Sequence, residues 1–460
     1  MKTICSLLFT LLVPLFSLSA QSPNAGSIPQ RLDDYLTAAQ RADRFNGVAL
    51  VLHKGKVLLH KAYGVRNAAI KAPNDTATRF PLLSITKSFT AALILKLQEQ
   101  GKVSVNDKVS QYLPGFARGD SITIHQLLTH SSGLFNYTDL IDEADSALVC
   151  HPVPKQRIID VIQSKPLSFR PGTQFSYCNS GYFLLGLVIE KATGKPYEQA
   201  MHELILQPLG MRHSGFDFIN LPTNSRAQGY DTLTARYYSP YPHPDSTVLY
   251  AAGGLYSTTG DMLRWAKTVA NRQLLSARSW QLAFTPHRNG YGYGWYTGQF
   301  GGKPYLRHSG GYPGFMAEFV YYPAEDLTIV LVNNFGNYAD SVFPVVQSLS
   351  VVVFGMPDEL WLPRQEVQLT SELLRQYVGR YVADQPGGYG MDIVLRDGQL
   401  YSLGHHKDQL PELALFAGST DHFFPQKYNS RLTFERDSSG RVMRCIIEEN
   451  GQRFAWKKVD

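Results

Sequence analysis

The hydrophobic period of this chain changes along its length, and the order of those changes constrains the fold more than any other feature. Segments 48–53 and 57–63 read as strands joined at Lys54-Gly55-Lys56, a hairpin preceded by a helix over 31–44. From 86 to 100 the apolar residues recur at helical spacing, with Phe89, Leu93 and Leu97 on one side and Gly101 as a stop. Helical patterns continue at 123–129, 180–192, 196–207 and 259–269, the last preceded by the capping candidates Ser257 and Thr258. Strand patterns then return at 291–296, 305–309, 315–322 and 327–333, followed by a helix over 342–353. Early and late strands bracketing a helical middle predict an α+β fold, an antiparallel sheet flanked by helices with a helical subdomain inserted.

A Pro-containing stretch covers 355–369, and beyond it short strand patterns alternate with hairpin punctuation at Arg396-Asp397-Gly398, Asp437-Ser438-Ser439-Gly440 and Asn450-Gly451. This predicts a small C-terminal β-barrel. With 460 residues the chain exceeds the usual size of one core. The expected division is a leader over 1–20, a main domain over 21–358 and a barrel over 369–460.

The leader carries Lys2, an apolar run over 4–18, and Ser19 and Ala20, the layout of a secretory signal peptide. No later segment is apolar for long enough to span a membrane, so a secreted or periplasmic protein without a membrane span is expected. Cys5 leaves with the leader, and Cys150, Cys178 and Cys445 remain. Three thiols cannot all pair within one chain, and a Cys150–Cys178 bridge is one option in an oxidising compartment. Metal-binding spacings such as Cys-x-x-Cys or His-Glu-x-x-His do not occur, and His405-His406 reads as a loop pair, so no metal and no cofactor are expected. A formal charge of +6 spread over scattered basic residues argues against nucleic acid as a partner.

Chemistry enters at Ser84-Ile85-Thr86-Lys87, where a hydroxyl and an amine sit nearly one turn apart at the start of a helix. A serine hydroxyl is a weak nucleophile until a base takes its proton, and a nearby amine is able to do so. Alone the motif is weak, since roughly one or two Ser-x-x-Lys matches arise by chance in a chain this long. Tyr177-Cys178-Asn179 adds a phenol that can pass protons and an amide that can bond a substrate carbonyl and the lysine. The phenol would need a lowered pKa for base duty, which positive charge on Lys87 would provide. His308-Ser309-Gly310-Gly311 ends a strand, where small residues let backbone N–H groups approach a substrate.

In this order, Ser-x-x-Lys, Tyr-x-Asn and His-x-Gly resemble the class C β-lactamase and DD-peptidase superfamily. Segments 122–134 (ITIHQLLTHSSGL) and 170–181 (RPGTQFSYCNSG) are similar to that family too, and the resemblance spans about 31–354. It implies a β-lactamase/transpeptidase-like fold in which Ser84 is acylated and Lys87 and Tyr177 share proton transfer. Asn179, His308 and Gly310 would contact substrate, with His308 on its carboxylate side, and the backbone N–H groups of Ser84 and Gly311 would form the oxyanion hole. The tail resembles the lipocalin-like barrel that follows this fold in some relatives.

One departure narrows the activity. Most β-lactamases carry Lys-Thr-Gly where this chain has His308-Ser309-Gly310, so a permanent cation for a substrate carboxylate is missing. The expectation is therefore a hydrolase of peptide (D-amino-acid or D-Ala-D-Ala type) or ester substrates. A class C-like β-lactamase and a penicillin-binding sensor or scaffold with negligible turnover are the alternatives. The expected partners are small molecules or peptides, including cell-wall peptides and β-lactams, and the oligomeric state is left open.

Overall fold

The computed structural model describes residues 26–459 apart from 141–149, 235–236, 337–341, 358–359, 361–363, 365, 385–389, 405–411, 426–429 and 450–451. The leader and the His405-His406 pair lie outside the described residues. Helix α1 (Ile28–Arg41) is started by Ser27, whose hydroxyl accepts from the Gln30 amide, with a proline in its first turn. The hairpin follows as strands β1 (Gly47–His53) and β2 (Lys56–Tyr63), with Lys54 and Gly55 at positive φ in the turn. Four later strands, β3 (Tyr296–Phe300), β4 (Lys303–Tyr312), β5 (Phe315–Tyr322) and β6 (Leu327–Asn333), complete one antiparallel sheet in the order β2-β1-β6-β5-β4-β3. The first hairpin thus joins the last strands, with Gly47 opposite Asn333 and His53 opposite Leu327.

Helices cover both faces of this sheet. Val48, Leu50 and Leu52 turn into the larger core, where they join Phe89 and Leu93 of helix α2 (Thr86–Glu99). Ala49 and Val51 turn the other way, into a core built with α1 and a late helix over Phe343–Phe354. A strand covered on both sides has no solvated face to mark with polar residues, and this is why 48–53 reads as an apolar run. The helical insertion packs on the larger core, its central element being α3 (Asn179–Thr193), in which Ser180 through Ile189 are all buried.

Two sequence expectations need correction. The stretch 291–296 is not a strand: Gly294 sits at a φ of +78°, only one isolated bridge joins Tyr291 to Tyr296, and strand structure begins at Tyr296. The Cys150–Cys178 bridge is not formed: Cys178 is buried with its thiol donating to the Leu134 carbonyl at 3.3 Å, and none of the three described cysteines is in a disulfide. Helices at Lys155–Ser164, Ser246–Gly253 and Ala277–Phe284, each about three turns or shorter, are not expected from the sequence.

Beyond the linker, eight antiparallel strands from Gly379–Ala383 to Gln452–Lys458 close into a barrel, the last pairing with the first through Tyr381 opposite Lys458. Asp397 and Gly398 both adopt positive φ in one of its hairpins, as that dipeptide requires. Apolar side chains including Tyr381, Ile393, Leu400, Phe423 and Phe434 pack its interior.

Candidate active site

Ser84 sits in a 3-10 turn (Leu83–Ile85) that runs directly into α2, so the hydroxyl lies at the positive end of the helix dipole. Leu83 is held at a φ of 51°, a left-handed conformation uncommon for leucine, and this bend precedes the serine. On the other side Gly310 of β4 packs so closely that a Cβ there would lie 2.2 Å from the Leu82 carbonyl oxygen. A glycine is what lets the strand touch this turn. The contact places the exposed Gly311 beside Ser84 on the wall of a cleft of about 510 Å³.

One helical turn after Ser84, Lys87 is fully buried, its Nζ 2.8 Å from Ser84 Oγ and 2.7 Å from the Ala252 carbonyl oxygen. It also stands over the Tyr177 ring, 4.9 Å from the centroid. Burial holds the ammonium well below its ordinary pKa, offset only in part by Cys178, and among the described residues it pairs with no carboxylate, so the amine is shifted toward its proton-accepting form. Tyr177 behaves oppositely. Burial pushes the phenol well above its ordinary value, and the Ser84 hydroxyl offsets this only in part, so Tyr177 stays protonated and able to donate. The lowered phenol pKa expected from the sequence is thus reversed, because desolvation dominates and the neighbouring tyrosines and Cys178 push the same way.

Asn179, the first residue of α3, lines the cleft. Its backbone N–H donates to Asn136 Oδ1 at 2.8 Å and its side-chain amide to Thr138 Oγ1 at 2.9 Å. The lysine's partners are Ser84 and Ala252, so Asn179 does not reach it.

The third motif is placed differently from expectation. His308 is buried behind the tyrosines rather than on the cleft wall, with Nε2 2.9 Å from the Tyr291 hydroxyl and Nδ1 2.7 Å from the Ser309 carbonyl. A neutral ring donating from Nδ1 and accepting at Nε2 satisfies both bonds. Burial, with Lys87 nearby, lowers its pKa to about 3. It does not offer a cation to a substrate carboxylate. Gly310 likewise faces Leu82 and Leu83, and its neighbour Gly311 is the one on the cleft.

One residue of the site had no role in the sequence reading, although its segment 122–134 stood out there. His130, at a φ of 53°, accepts from Ser176 N–H through its carbonyl at 3.0 Å and from Cys178 N–H through Nδ1 at 3.1 Å. Its ring lies 4.2 Å from that of Tyr177 and 4.6 Å from that of Tyr291. These contacts clamp the Tyr177-Cys178 backbone and back the phenol. Among the described residues, no group of three or more His, Cys, Asp or Glu side chains is placed to hold a metal.

Residues 32–343 match the Beta-lactamase family. The chain belongs to that family. Its relatives include "Penicillin-binding protein 4*" of Bacillus subtilis, 28% identical over 90% of this chain and 95% of that protein. "Putative penicillin-binding protein PbpX" of the same organism is 31% identical over 67% of this chain and 75% of that protein. Among solved structures, the octameric penicillin-binding protein homologue of Pyrococcus abyssi superposes with a TM-score of 0.66 at 25% identity, covering 93% of this chain and 99% of that one. The Beta-lactamase match spans the sheet and its helical insertion, while the first relative and the Pyrococcus homologue cover most of the chain. Membership makes this a serine hydrolase of the β-lactamase and transpeptidase type with a C-terminal eight-stranded barrel.

Proposed function

We propose that this hydrolase works through an acyl-enzyme on Ser84 and cleaves peptide bonds of D-amino-acid type or ester bonds. The observation that carries the reading is the 2.8 Å contact between Ser84 Oγ and the amine of Lys87, which is buried with no carboxylate partner among the described residues. The amine takes the Ser84 proton as Oγ attacks the substrate carbonyl, and the developing oxyanion is met by the backbone N–H groups of Ser84 and Gly311. Lys87 then returns the proton through Tyr177 to the leaving group as the bond to it breaks. Water, deprotonated by the same pair, attacks the acyl carbonyl and restores Ser84. Asn179 orients the substrate amide from the cleft wall.

The neutral His308 supports peptide or ester hydrolysis over efficient turnover of carboxylate-bearing β-lactams, since its lowered pKa leaves it uncharged at physiological pH. The Met1–Ala20 stretch supports export, which the N-terminal sequence of the mature protein checks. The function is tested by intact mass during incubation with a penicillin and with a p-nitrophenyl ester. Mass shifts on the wild type that are absent in Ser84→Ala, with ester turnover falling by roughly 10⁵-fold or more, are expected. Normal turnover by Ser84→Ala overturns the reading.

A further inference from the structure

The cleft that opens onto Ser84 has an uneven charge. Its apolar wall includes Leu83, Tyr137, Val248, Leu249, Pro313 and Met316, and its neutral polar groups include Thr138 and Asn179. No lysine, arginine or histidine lines it among the described residues, and the one charged lining side chain among them is Asp231. The fold puts this carboxylate there deliberately. Asp231 lies on the Tyr230–Leu233 strand, which is tied to the end of β6 by Tyr230 N–H on the Asn334 carbonyl and Gly336 N–H on the Tyr230 carbonyl, each at 3.0 Å. Gly314, in the turn after Gly311, packs on the same strand, where a Cβ would meet Tyr230 N at 3.1 Å. Asp231 is exposed, and among the described residues its side chain meets Thr232 Oγ1 at a long 3.5 Å.

A substrate with a free carboxylate entering this cleft would bring a like charge toward Asp231 and find no cation among the described lining residues. An ammonium group would find its counter-charge. We infer that the cleft selects substrates carrying a free amine beside an apolar group, with Asp231 as the specificity residue. The inference rests on Ser84 being the nucleophile of this cleft. An opposite charge within about 4 Å in a partly solvated site is worth about ten- to a hundredfold in affinity.

Competition against p-nitrophenyl acetate tests it, using phenylalanine amide, its N-acetyl form and its N-succinyl form, each as both enantiomers. The expected order of inhibition constants is amine tightest and succinyl weakest, with the amine favoured over the N-acetyl form by at least tenfold. In Asp231→Asn this preference collapses, and in Asp231→Lys the succinyl form becomes the tighter. An unchanged preference in both variants, or no competition by the amine in the wild type, overturns the inference. Loss of p-nitrophenyl acetate turnover in Ser84→Ala keeps the two levels apart. If that variant still turns the ester over, the nucleophile assignment fails, whereas a dead Ser84→Ala with charge-blind competition removes only the role of Asp231.

Discussion

The two faces of the central sheet bury cationic side chains in opposite ways. On the face toward α1, Arg307 of β4 forms a two-pronged pair with the fully buried Glu318 of β5, at 3.0 and 3.2 Å, and its guanidinium stacks 3.8 Å from the Phe343 ring centroid. Burial alone would lower the arginine's pKa, but the charge and hydrogen bonds of Glu318 outweigh it and hold the group above its ordinary value. On the opposite face, Lys87 is withdrawn from water further still, and its hydrogen-bond partners among the described residues are a hydroxyl and a carbonyl. Its charge is therefore the group's weak point, and desolvation favours an unprotonated amine next to Ser84. A carboxylate partner separates a buried cation that fastens the sheet from one that can accept a proton.

Exchanging the partners of these two groups breaks the comparison if it is wrong. The largest expected effect is Lys87→Met, which lowers kcat/KM for an ester by about 10³- to 10⁴-fold while leaving the melting temperature equal to or above that of the wild type. A thermal scan beside the kinetics checks this, and a large drop in melting temperature would show Lys87 to be a structural cation like Arg307. Next, Glu318→Gln strands the arginine and destabilises the fold by about 3–5 kcal/mol in denaturant titration, with kcat at low temperature near that of the wild type. Loss of activity without loss of stability would contradict the division between faces.

The smallest effect is a slope. Because the folded-state pKa of Lys87 is depressed, the unfolded chain binds the extra proton between that value and the ordinary lysine range. Its contribution to stability is therefore complete above the ordinary range and is lost as pH falls toward the folded pKa. Wild type should gain on Lys87→Met as pH rises through this window, by at most about 1.4 kcal/mol per pH unit. His308, with its pKa near 3, should leave the activity profile flat between pH 5 and 8. Parallel stability curves for the two proteins would place an uncharged lysine out of reach.

Much of this arrangement was legible in the sequence where local rules decide. The hairpin, α2 with its Gly101 stop, and strands β5 and β6 fall where periodicity and turn residues put them. Ser84 and Lys87 meet because one helical turn carries their spacing, whereas Tyr177, far along the chain, stands out only through the family resemblance. What could not be read was burial. The protonation tendencies of Lys87, Tyr177 and His308 depend on how many layers lie above each group, and those layers come from segments far away in the chain. The same holds for His130, whose grip on Ser176 and Cys178 joins segments nearly fifty residues apart. Asp231 escaped for a related reason, since the link to Asn334 and Gly336, far along the chain, brings its strand to the cleft.

The seam between β1 and β6 also sets a timetable. Asn46 and the Asn333 side chain that receives its N–H are 287 residues apart, and the strands they adjoin cannot pair until the later one exists. During synthesis the first hairpin must wait, with one edge bare, while the whole helical insertion is made. Contacts of such long sequence separation form slowly. A chain truncated within β5 should therefore be captured by strand-binding chaperones, whereas one ending after residue 357 has every strand of the sheet and is released from them.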